Sequence, residues 1–171
     1  TYQRIYSDLK EFSQYSDTIN FEFASMQAID MENKLNIRSL EGQFQYCNKS
    51  MTLAQMNLRT DKSFIKDSIR LNYQSSNALK YFNDSVSFYL NLDSSFIYSD
   101  EIALFAPKIQ DLDQLYRISG QLKGTVGDLS IKNVDLRFGK ISAINGDFIF
   151  FGLPEIKETF IDINYSCSGS G

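Results

Sequence analysis

The chain has 171 residues, a net charge of −4, 14% aromatic side chains, and neither histidine nor tryptophan. An acidic balance with no Lys/Arg-rich run disfavours nucleic acid and anionic membrane surfaces as partners. Without histidine there is no His-based triad, no histidine metal site and no imidazole general base. The longest apolar runs, Ile102–Ala106 and Phe148–Phe151, are far shorter than the roughly 20 residues of a membrane-spanning helix.

In chain order, Tyr2, Ile5, Tyr6, Leu9 and Phe12 recur at helical spacing. They predict a short amphipathic helix over residues 2–13, with a distorted strand as the alternative. Strict alternation then takes over. Phe21 and Phe23 share one parity, as do Leu40, Phe44 and Tyr46, then Ile69, Leu71 and Tyr73, then Val86, Phe88, Leu90 and Leu92. Leu112, Leu115 and Tyr116, after Pro107, predict a second short helical or irregular link. Alternation resumes with Val134, Leu136 and Phe138, then Phe148 and Phe150, then Ile161, Ile163 and Tyr165. Polar residues fill the places between, which is the mark of strands with one dry and one wet face.

Polar connections are predicted at 30–34 and 75–78. Turns are predicted at Val126-Gly127-Asp128, Phe138-Gly139-Lys140 and Asn145-Gly146-Asp147. The expected fold is therefore all-β: a long curved antiparallel sheet, groove-like or an open sandwich, with an apolar concave face. Residues 1–165 form one unit with a bend at 106–117, and 166–171 read as a linker or tail. No export signal is visible at Thr1, so any such signal or anchor is expected to have been removed or to lie outside this sequence.

One unit occurs twice. Leu58 leads to Ser63-Phe64-Ile65 and then Ile69 and Leu71; Leu90 leads to Ser95-Phe96-Ile97 and then Ile102 and Leu104. The first anchors are offset by 32 residues and the last two by 33, which predicts successive rungs of a repeating sheet with a local bulge.

Motifs of catalytic type are weak. Ser63-Phe64-Ile65-Lys66 matches S-x-x-K, but it lies in an alternating segment where residues three apart face opposite ways. Asp100-Glu101 and Asp111-Leu112-Asp113 are read as solvated acids. Gly120, Gly124 and Gly127 do not form a phosphate loop and are read as bends. Cys47 and Cys167 stand 120 positions apart with no CxxC pattern. Asp17-Thr18-Ile19, Asp67-Ser68-Ile69 and Asp84-Ser85-Val86 match a short O-glycosylation signal of some exported proteins. No catalytic residue, metal or cofactor is assigned.

From Phe44 to Tyr165 the order of elements resembles the TamB branch of the AsmA-like family. The residues carrying the likeness are Met51-Thr52-Leu53 with Met56-Asn57-Leu58-Arg59-Thr60, then Ser63, Asn83-Asp84-Ser85-Val86-Ser87-Phe88 and Ile102–Pro107. Ile118–Val126, Gly146-Asp147-Phe148, Phe151-Gly152-Leu153-Pro154 and Glu158-Thr159-Phe160-Ile161 complete it. The resemblance implies a periplasmic β-groove segment of an inner-membrane-anchored protein. It would shelter acyl chains for phospholipid transport between inner and outer membranes, or support outer-membrane protein assembly with a barrel partner.

The expected lining comes from the dry positions: Phe44 and Tyr46, Met56 and Leu58, Ile69 and Leu71, Phe88 and Leu90, Val134 and Leu136, Phe148 and Phe150. The alternative is a closed β-sandwich that recruits an envelope partner and holds no lipid.

Overall fold

The computed structural model describes residues 2–30, 35–103, 113–139, 142–152 and 160–164. Ten antiparallel strands follow one another in sequence order within one sheet. They are β1 (Tyr2–Tyr15), β2 (Thr18–Asp30), β3 (Ile37–Cys47), β4 (Ser50–Thr60), β5 (Phe64–Tyr73), β6 (Val86–Tyr98), β7 (Leu115–Gly124), β8 (Asp128–Phe138), β9 (Ser142–Phe151) and β10 (Phe160–Asn164). A 3₁₀ turn, Ser76–Tyr81, runs into the one-turn helix α1 (Phe82–Ser85) between β5 and β6, and α2 (Ser99–Ile102) follows β6. None of the described helices is long and apolar enough to cross a membrane.

A single-layer sheet leaves much of itself uncovered. The accessible surface is 11,541 Å², against about 8,600 Å² for a compact monomer of this mass. Only eight described apolar residues are buried, and Met56, Leu92 and Val134 are three of them. All three lie on one line across the sheet.

That line is a crease. From β3 to β9 every strand pair loses register by one residue at a common level, and the extra residue always sits on the even-numbered strand. At that level Gln55 on β4, Ser94 on β6 and Asn133 on β8 take a left-handed conformation, with φ of 51°, 51° and 52°. The odd strands supply Gly42, Gly120 and Gly146, with φ between 143° and 149°. A β-bulge bends its strand and sharpens the local twist, so bulges in register fold the whole sheet along a line.

Glycine is required where the backbones close up. A Cβ on Gly42 would stand 3.0 Å from the Ala54 carbonyl oxygen, and one on Gly120 would stand 3.1 Å from that of Lys132. On β5 the equivalent position is Asp67, which holds φ at 106° without being glycine.

Several sequence expectations change here. Residues 2–13 are strand β1 and not a helix. The register explains the misleading spacing: Ile5 and Leu9 share a face by alternation, and the bulge at Glu11 (φ 52°) shifts the parity so that Phe12 follows. Leu115 and Tyr116 open β7 instead of a helical link, while Pro107 and Leu112 lie outside the described residues. The turn expected at Asn145-Gly146-Asp147 is instead the middle of β9, where Gly146 meets Val134 at the crease. The hairpin at Val126-Gly127-Asp128 and the turn at Gly139 are present. The polar link after Ser75 is the 3₁₀ turn.

The twofold unit is not a pair of rungs. Leu58 to Phe64 crosses the β4–β5 hairpin, whereas Leu90 to Phe96 stays within β6. Ile102 belongs to α2, and Leu104 lies outside the described residues. The two Ser-Phe-Ile segments pair with each other instead, antiparallel about Phe64 and Phe96, whose rings stand 5.8 Å apart. Each serine accepts a hydrogen bond from the N–H two residues beyond the other segment's phenylalanine: Ser63 Oγ from Tyr98 N at 3.0 Å, and Ser95 Oγ from Lys66 N at 2.9 Å. Both serines are buried. They restore backbone pairing that the slipped register denies.

Two sets of variants test this account by urea denaturation. Gly42→Ala and Gly120→Ala each lose about 1–3 kcal/mol, whereas at Asp67 glycine relieves a strained φ but also removes the carboxylate that accepts from the Asn91 amide, so Asp67→Gly changes stability by less than either. Ser95→Ala deprives the Lys66 N–H of its part-buried acceptor and loses about 1 kcal/mol.

Candidate functional site

Directly opposed residues of an antiparallel pair share a face, so the register can be followed as rows across the sheet. One row runs Phe21, Phe44, Leu53, Ile69, Leu90, Leu122, Ile131 and Phe148, eight strands with no polar interruption. The next runs Ile19, Tyr46, Met51, Leu71, Phe88, Gly124, Leu129 and Phe150. Beyond the crease, Met26, Leu40, Leu58 and Ile65 form a third, which resumes as Ile118, Leu136 and Ile144.

The reverse face carries Asn20, Gln45, Thr52, Arg70, Tyr89, Lys123 and Ser130 in the corresponding row, which ends on β9 at the apolar Ile149. The sheet is therefore apolar on one side and polar on the other.

Burial identifies the apolar side as concave. Residues on the crease line are shielded by both walls, so Met56, Leu92 and Val134 are only 4%, 5% and 6% exposed. The rows on either wall remain half-buried along most of their length. The eight strands of the longest apolar row are separated by seven intervals, which at about 4.8 Å each give a trough about 34 Å long.

The trough contains aromatic clusters. Phe21 lies 4.9 Å from Phe23 and 4.8 Å from Phe44, between ring centroids. Tyr116 and Phe138 sit 6.0 Å apart further along.

All twelve residues expected to line the groove lie on this face. Ten are half-buried on the walls, and Met56 and Val134 are buried in the crease. Leu53, Leu122 and Ile131 belong to the same rows, and Leu92 to the crease, but the lining expected from the sequence does not include them. Leu53 and Ile131 have the opposite parity to Met56 and Val134 on their own strands, because a bulge intervenes. Nothing local in the sequence marks that change of parity.

The rim near β4, β5 and β6 is polar and cross-linked. Thr60 donates to Glu101 Oε2 at 2.6 Å, and this carboxylate is buried. Asn36 donates to Asp61 Oδ2 at 2.8 Å, and Arg38 pairs with the other oxygen of Asp61. Burial alone would raise the Asp61 pKa, but the hydrogen bonds from Asn36 and Arg38 outweigh it and hold the group below its ordinary 3.8. Lys62 pairs with Asp100, which raises the lysine pKa, and its ammonium stands 5.0 Å from the Tyr98 ring centroid. The Tyr98 hydroxyl donates to Asp113 at 2.7 Å, and the tyrosine pKa is raised in consequence.

The weaker motifs fall apart spatially. Ser63 Oγ is engaged with Tyr98 N on the inner side, whereas Lys66 Nζ lies 3.5 Å from Asp93 on the outer face. Cys47 donates to or accepts from Ser50 Oγ at 3.1 Å, and this contact lowers the thiol pKa; Cys167 lies outside the described residues. Of the three Asp-Ser/Thr-apolar matches, Thr18 opens β2, Ser68 lies within β5 and Ser85 ends α1. Among the described residues no group of three or more His, Cys, Asp or Glu could hold a metal ion.

Protein families, curated proteins and solved structures yield no match to this chain.

The Asp61 geometry has a pH consequence. A carboxylate held below 3.8 in the fold stabilises it above that value, and the contribution is lost as pH falls through the depressed value. Asp61→Asn should therefore lose less stability than the parent between pH 7 and pH 3, read from urea midpoints at the two pH values.

Proposed function

We propose that this chain is a lipid-sheltering trough, in which acyl chains of phospholipid lie along the apolar rows. The observation that carries the reading is the unbroken row from Phe21 to Phe148, half-exposed on a concave face and backed by a polar one. Each methylene removed from water contributes about 0.8 kcal/mol, so a long acyl chain gains from shelter along its whole length. The rows repeat nearly the same chemistry at each strand. A chain can therefore slide between positions of similar free energy, which suits conduction better than tight retention.

A closed interaction module would bury these rows against a second layer, and their half-exposure favours the open trough. The charged rim keeps headgroups at the water boundary while the tails enter. The TamB-like order of elements extends the reading to a periplasmic segment that carries phospholipid between the two membranes, or assists outer-membrane protein assembly beside a barrel partner.

Photo-crosslinking in cells separates the two faces. A photoreactive residue at Phe88 or Leu136 should capture phospholipid, identified by mass spectrometry, and one at Tyr89 or Arg137 should not. Equal capture on both faces, or none at either inner position in active protein, would refute the proposal.

A further inference from the structure

Phe64 and Phe96 depart from the polar character of the reverse face. Their parity places them there, because Ile65 pairs with Leu58, and Ile97 with Tyr116, on the apolar side. Across β4 to β8 their row reads Arg59, Phe64, Phe96, Arg117 and Arg137. All five strands are interior to the sheet, with a paired neighbour on each side. The Arg59 guanidinium carbon lies 4.3 Å from the Phe64 ring centroid, and both rings are half-buried.

Arg137 is neutralised by its own strand, since the two Asp135 oxygens accept from it at 3.0 and 2.9 Å. Arg59 and Arg117 are exposed, and neither has an ion-pair partner among the described residues. Beside Arg117 opens a cleft of about 250 Å³ whose lining includes Ser94, Phe96, Ser119, Asp135 and Arg137. Ser119 Oγ accepts from Ser94 N at 3.1 Å, so its own hydroxyl proton remains to be donated. A free guanidinium and a hydroxyl proton on one cleft suit a carboxylate. Arginine and aromatic side chains are also the types that carry most binding energy at protein interfaces.

We infer that this row docks an extended acidic segment of a partner protein, with the pattern acidic-x-apolar-x-acidic. Spacing selects the pattern. Arg59 and Arg117 are three strand intervals apart, about 14 Å at about 4.8 Å each. In an extended peptide, residues four apart share a face and stand about 13 Å from each other. Two carboxylates at that spacing reach both free guanidiniums, and the residue midway sets an apolar side chain over the phenylalanines. A second copy of this chain fits worse. Arg59, Phe64, Phe96 and Arg117 read alike in both directions, so a face-to-face pair centred on the phenylalanines sets arginine against arginine. Like charges juxtaposed at an interface oppose association. The row lies on the side away from the trough, so the inference does not depend on what the trough holds.

The chain has no tryptophan, so a tryptophan in a peptide reports binding by its fluorescence alone. The probe is a capped peptide with glutamates two residues either side of a central tryptophan and serines elsewhere. Its emission should shift to the blue and saturate on titration with the intact chain. Arg59→Ala and Arg117→Ala should each weaken binding roughly tenfold, whereas Arg70→Ala, on the same face but outside the row, should not. Moving the glutamates to three residues apart should weaken it as much, with the protein unchanged. The double variant Arg59→Glu/Arg117→Glu should instead bind a peptide with lysines in place of the glutamates, which also shows that it is folded. No saturable shift up to about 1 mM chain, or equal binding of the lysine peptide to the parent, would overturn the inference. So would phosphatidylglycerol vesicles that bind the parent through these two arginines, which would assign the row to a lipid surface. Self-association lost in Arg59→Ala/Arg117→Ala would overturn it too, in favour of a second copy.

Discussion

The structure depends on one constraint: the register slips by a residue at the same level in every strand pair from β3 to β9. A single bulge only bends one strand. Seven strands bent in register turn a flat ribbon into a trough. The alternation of roles makes this possible, since the even strand accommodates the extra residue and the odd strand supplies glycine, or Asp67 under strain, where the backbones close up. Met56, Leu92 and Val134 then fill the inside of the fold and supply much of its small core.

A slipped register breaks the backbone ladder, and at three of the slipped pairs a side chain takes the freed backbone N–H. Ser95 takes the Lys66 N–H, Ser119 takes the Ser94 N–H at 3.1 Å, and Asp147 takes the Asn133 N–H at 2.8 Å. Among the described residues no buried side-chain nitrogen or oxygen lacks a partner. Buried polar groups left unpaired would cost more than the bulges could recover through packing. Ser63, the serine that matches S-x-x-K in the sequence, likewise accepts a backbone N–H, that of Tyr98.

The same geometry shapes the functional reading. A trough made by repetition presents similar apolar surface at every strand, so binding free energy is spread along its length. Its ion pairs lie on the outer face and the rims, where Asp61, Lys62, Asp100 and Glu101 tie the strand ends together. On the proposed reading, specificity would come from the shape and depth of the channel.

Alternation was readable from the sequence because it is local. Val86, Phe88, Leu90 and Leu92 announce one face of β6, and all twelve expected lining residues lie on that common face. What could not be read was anything set by a partner strand. The spacing of Ile5, Leu9 and Phe12 is equally that of a helix or of a bulged strand, and only pairing with β2 decides between them. Asn145-Gly146 has the composition of a tight turn, yet Val134 across the sheet makes it a mid-strand crease.

The Ser-Phe-Ile repeat is likewise real in the sequence but has a different meaning in space, where its two copies pair with each other. By itself, then, the sequence determined strand content, the dry face and the charge balance, all of which follow from neighbours along the chain. Tertiary structure alone decided where parity flips, which glycines bend and how the rows join. Register is a property of two strands together, and it is set by residues far apart in the chain.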